Sequence, residues 1–79
     1  MYHLAAEQGL AQAQHSLSIM YGRGEGVERD DVQAHMWSTI SITNGVAEAQ
    51  EVRDVVAQRM TITQIENAQR LAAKWKPRR

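Results

Sequence analysis

YGRGEGVERDD, residues 21–31, places Gly22, Gly24 and Gly26 at alternate positions and follows them with Asp30 and Asp31. A phosphate-cradling loop here would imply a preceding strand and an α/β fold, whereas a turn would join one helix to the next. A dinucleotide fingerprint requires G-x-G-x-x-G between a strand and a helix, so that backbone N–H groups and the helix start face the pyrophosphate. In this chain the third glycine comes one position early, no Gly-Lys-Ser/Thr follows, and two carboxylates open the next segment, where they would repel an anion. The stretch therefore reads as a connection. Gly22 is expected to cap one helix, Gly24 and Gly26 to supply positive φ, Val27 to anchor the loop, and Asp30 or Asp31 to cap the next helix.

Outward from this loop the apolar residues recur at steps of three and four. Ala13, Leu17, Met20 and Tyr21 form one stripe before it; Ala34, Trp37 and Ile40 form another after it; Ala49, Val52, Val56 and Met60 form a third. The fourth holds Ile65, Ala68, Leu71, Ala72 and Trp75. Thr61 followed by Gln64 fits a capping box at its start, and Pro77 ends it. Strand-like alternation is absent. The pattern predicts an all-α chain of about five short helices, near 2–8, 11–21, 31–44, 47–60 and 62–76. Leu17, Tyr21, Ala34, Trp37, Ile40, Ile65, Leu71 and Trp75 are its expected core.

The chain also repeats itself. GLAQAQ at 9–14 returns as GVAEAQ at 45–50, 36 residues later. Gly9 and Gly45 each close one helical run and open another, as left-handed caps do.

Composition narrows the function classes. At 79 residues the chain is one domain, 1–79, with a modest core that gains from repetition or from a neighbouring chain. Nine basic and nine acidic side chains cancel, which argues against steering toward nucleic acid or an anionic membrane. With no cysteine there is neither a disulfide frame nor a thiolate site. No apolar run is long enough to span a bilayer and the amino terminus lacks a secretory signal, so a soluble, cytoplasmic chain is expected, or an exported one if a signal peptide lies upstream.

The string A-x-A-Q-x-x-L-x-x-M-Y-x-x-G-x-G-V-x-x-D-x-x-x-A-x-x-W, from Ala11 to Trp37, resembles the Sel-one-like repeat, a relative of the tetratricopeptide repeat. RMTITQIENAQRLAAKW, from Arg59 to Trp75, is similar to the terminal helix of bacterial members, and YHLAAEQG at 2–9 to the second half of a preceding repeat. Ser18 departs from the family's glycine, and Ser41-Ile42 from its paired alanines. The resemblance implies an antiparallel helix-pair solenoid: residues 1–9 the second half of a repeat, 10–45 a full repeat, 46–76 a terminal helix pair and 77–79 a basic tail. It implies a protein-interaction scaffold without catalytic activity. In this register the first repeat lacks a helix, making Tyr2, Leu4 and Leu10 candidates for self-association and predicting a homodimer through the first helix and the Leu10–Leu17 face.

Candidate chemistry is sparse. His3, His15 and His35 form no i, i+4 pair and are expected at the surface rather than on a metal. Asp30 and Asp31 are explained by capping. The tail, with Arg70, Lys74, Lys76, Arg78 and Arg79 around Trp75, is the one charge asymmetry. It is the basis of an alternative as a nucleic-acid or anionic-lipid binder, although cations also suit a helix carboxyl end. No catalytic constellation, metal site or cofactor site is expected.

Overall fold

Each glycine of the repeated hexapeptide closes a helix by the same pair of hydrogen bonds. The Gly9 N–H donates to the Ala6 carbonyl (3.0 Å) and Leu10 N–H to that of Ala5 (3.1 Å); Gly45 N–H donates to Ile42 (3.0 Å) and Val46 N–H to Ser41 (2.9 Å). Both glycines adopt left-handed φ, 93° and 102°, where a Cβ is disfavoured. The sequence repeat is thus a repeated helix stop. The computed structural model describes the backbone of residues 2–77 and the side chains from Leu4 onward. The side chains of Tyr2 and His3, and the tail residues Arg78 and Arg79, lie outside the described residues.

The described chain is all-helical: α1 (Tyr2–Glu7), α2 (Ala11–Arg23), α3 (Asp31–Thr43), α4 (Ala49–Ala57) and α5 (Ile62–Lys74). Asp30 caps α3, its carboxylate accepting from the Gln33 N–H at 3.1 Å. Thr61 and Gln64 form both halves of the capping box that starts α5.

The order of packing follows from end-to-end contacts. Asp30 N–H donates to the Tyr21 carbonyl (3.0 Å), while Asn44 Nδ2 donates to Gln14 Oε1 (3.0 Å), so α2 and α3 run antiparallel. Arg59, just past α4, reaches Asp31 at the start of α3 (2.8 Å), so α3 and α4 are antiparallel too. α2 and α4 consequently run parallel, in contact with each other. α3 is central: α2, α4 and α5 all pack on it, and α1 lies on α2. α5 packs on α3 rather than on α4.

Centrality explains why α3 buries polar as well as apolar positions. Ala34, Met36, Trp37 and Ile40 are buried, and so are His35, Ser38 and Ser41. The two serines are accommodated because each hydroxyl donates back to a carbonyl of its own helix, Ser38 to His35 (2.9 Å) and Ser41 to Ser38 (3.0 Å). Ala6, Leu17, Met36, Trp37 and Ile40 make one cluster, against which Met20, Tyr21 and Trp75 pack while partly exposed. Trp75 meets Trp37 edge-to-face, centroids 5.8 Å apart at 72°, an arrangement worth about 0.5–1.5 kcal/mol beyond burial.

Four expectations need correction. Gly22 is not a cap: α2 continues through Arg23, and Gly24, with φ of 71°, closes it. Leu71 is not core, because α5 packs on α3 and its stripe overhangs that contact, leaving Leu71 37% exposed; Ile65 is half-buried. His35 is not at the surface, since α3 is covered on more than one side. Leu17 is completely buried, so the Leu10–Leu17 face is already covered along most of its length, whereas Leu4 and Leu10 are 56% and 57% exposed.

Candidate functional site

Gly22 lies where α2 meets its neighbours. A Cβ at this position would lie 3.4 Å from Val56 Cγ1 and 3.7 Å from Ala34 Cβ, so its bare face is where α2, α3 and α4 converge. Arg59 fastens the same place: its Nη2 donates to the Gly22 carbonyl at 2.9 Å and to Asp31 Oδ1 at 2.8 Å. Three helices are thus tied at one end.

Above this junction α2 and α4 leave a groove of about 400 Å³. Ile19 of α2 and Val52, Val55 and Val56 of α4 supply its apolar lining. Val56 is buried beneath it, but Val55 stands 55% exposed, a β-branched apolar side chain offered to solvent. Because the two helices are parallel, their first turns share one end and their last turns the other. His15, Glu48 and Glu51 line the first end, Arg23 and Arg59 the second. Glu48 and Glu51 form no ion pair among the described residues, and Arg23 holds only an open surface pair with Glu25 at 3.5 Å. The groove therefore carries an apolar floor between an acidic end and an end whose exposed cation is Arg23, the charge of Arg59 being already held by Asp31.

A second hollow, of about 450 Å³, lies between α3 and α5 with Thr39, Gln69, Trp75 and Pro77 on its walls. Thr39 Oγ1 is buried there without a hydrogen-bond partner, as are His35 Nδ1 and Trp37 Nε1 in the interior. The His35 pKa is lowered below 6.5, first by burial and then by the charge of Arg53, against an opposing pull from Asp54.

The loop residues of the opening stretch are brought together by turn geometry alone. Gly24 N–H donates to the Met20 carbonyl at 2.8 Å, Gly26 has φ of 75°, and Val27 is half-buried. Among the described residues no group of three His, Cys, Asp or Glu side chains could hold a metal ion. No described helix is long and apolar enough to cross a membrane.

Two connections escape pattern-based reading of the sequence. Gln14, completely buried, donates to the Ala6 carbonyl (3.0 Å) and accepts from Asn44, clasping α1, α2 and α3. Its counterpart in the second hexapeptide, Gln50, is exposed, so identity of sequence did not carry identity of environment. Arg59 lies beyond the last helical residue of α4, where no periodicity marks it. No family model, curated protein or solved structure matches this chain.

Proposed function

We propose that the chain is a protein-interaction module of the Sel-one-like kind, acting as a scaffold through the groove between α2 and α4. The observation that carries this is Val55, exposed in a continuous apolar floor with Ile19 and Val52, where a lone surface residue would need no explanation but a lined groove does. Alternation of helices supports the repeat assignment: α2 lies beside α4, and α3 beside α5, as in stacked helix pairs whose same-order helices build one face. Function then resides in binding rather than chemistry, with no cofactor required. A photo-crosslinking residue at position 55, expressed in the source cells, tests it. Capture of one protein at position 55 and not at exposed Gln69, with binding of the purified partner weakened at least tenfold by Val52→Glu, is expected. Equal capture at both positions would refute the groove.

Self-association is a second reading, favoured by Leu10. Its repeat counterpart Val46 is 4% exposed, whereas Leu10 is 57% exposed, so the same motif position is covered once and open once. A second copy covering Leu10 and Leu4 would restore the equivalence, giving a homodimer.

A further inference from the structure

The α2–α4 groove, taken as the partner face, is polar along its length, and that polarity specifies what fits it. From Glu51, along α4 and past its end to Arg59, the lining spans roughly 12 Å. Over that span the lining passes from Glu48 and Glu51, through Val52 and Val55, to Arg59, with Ile19 and Arg23 following the same order on α2. A complementary ligand must be apolar in the middle and carry a cation at the glutamate end and an anion at the arginine end.

We propose that the groove takes an amphipathic helix from another protein, laid antiparallel to α2 and α4, acidic in its first turn and basic in its last. Orientation follows from two effects of the same sign. The parallel dipoles of α2 and α4 favour an antiparallel third helix, and acidic first turns and basic last turns stabilise the ligand helix by itself. In that direction its first-turn carboxylates meet Arg23, and its last-turn cations meet Glu48 and Glu51. The opposite direction brings like charges together at both ends. Apolar residues at i, i+3, i+4 and i+7 then lie over Ile19, Val52 and Val55.

The occupant is not a second copy of this chain. Among the described helices of useful length, α3 and α4 have an acidic first turn without a basic last turn, and α2 and α5 the reverse. None carries both.

The test uses the full chain and two fluorescein-labelled, lactam-stapled peptides of about three turns. Both have the same leucine stripe; one has glutamates in the first turn and lysines in the last, and the other has these charges exchanged. Fluorescence anisotropy is expected to show the first peptide binding at least about tenfold more tightly, the order of a few exposed charge pairs. The Glu48→Lys, Glu51→Lys double variant should lose or invert that preference, and because both positions are exposed its circular dichroism should match wild type. Equal binding of the two peptides, abolished by Val55→Glu, would overturn the polarity while leaving the partner groove in place. Binding of neither peptide would overturn both.

Discussion

Gly22 and Gly24 stand two residues apart in the same motif, yet alanine should move stability in opposite directions at the two sites. Gly22 sits inside α2 with no left-handed φ. Alanine there gains up to about 1 kcal/mol of helix propensity. Its methyl falls 3.4 Å from Val56 Cγ1, the tight end of ordinary contact, so little of that gain is lost to crowding. At Gly24 the left-handed φ of 71° makes a Cβ unfavourable by about 1–2 kcal/mol. The added atom would also sit 3.3 Å from Arg29 Cβ and 3.5 Å from its backbone nitrogen, which cannot swing aside. Urea unfolding followed by tryptophan fluorescence measures both, since Trp37 is buried and Trp75 packs against it. With a slope of about 1 kcal/mol per M for so small a chain, the midpoint should rise by up to about 1 M for Gly22→Ala and fall by about 1 M or more for Gly24→Ala. Equal losses in both variants would refute this reasoning, showing either that α2 ends before Gly22 or that Val56 cannot accommodate the methyl.

Trp37→Ala removes the largest side chain of the core cluster together with its edge contact to Trp75, and should cost about 3–5 kcal/mol, read as near-complete loss of the thermal transition. His35 has a folded pKa below its unfolded value of 6.5, so the unfolded state binds more protons; its contribution is fully present above pH 6.5 and is lost as pH falls below that value. Urea midpoints between pH 5.5 and 7.5 should therefore rise with pH in wild type and flatten in His35→Gln. Leu4→Glu should abolish a dimer seen by sedimentation equilibrium while leaving helicity intact, because Leu4 is 56% exposed in the monomer; a wild-type chain monomeric to high micromolar concentration would refute self-association.

Most of the helices were legible from apolar spacing and local stops, whereas α4, which has no such stop, ends at Ala57 rather than at the expected residue 60. Gly9, Gly24 and Gly45 end helices by conformations that depend on neighbours within a few residues, and the Thr61–Gln64 box is local as well. What was not legible depends on helices far away in sequence. Gly22 reads as punctuation beside Gly24, yet it lies inside α2 and faces Val56 of α4. His35 reads as polar and outward, but three helices pack on α3 and leave few outward positions. Leu71 fails for the converse reason, since α5 packs on α3 along only part of its stripe. The groove itself has no motif: Glu48, Val52 and Val55 share a stretch of ordinary amphipathic helix, and only the parallel course of α2 beside α4 turns them into one wall of a cleft.

The most direct measurement is a ¹H–¹⁵N correlation spectrum of the labelled chain titrated with the protein captured at position 55. The shifts expected cluster at Ile19, Val52 and Val55 and fade toward Gln69 and Trp75. Shifts centred on Thr39, Gln69 and Trp75, the hollow between α3 and α5, would contradict the assignment of the α2–α4 groove as the binding face.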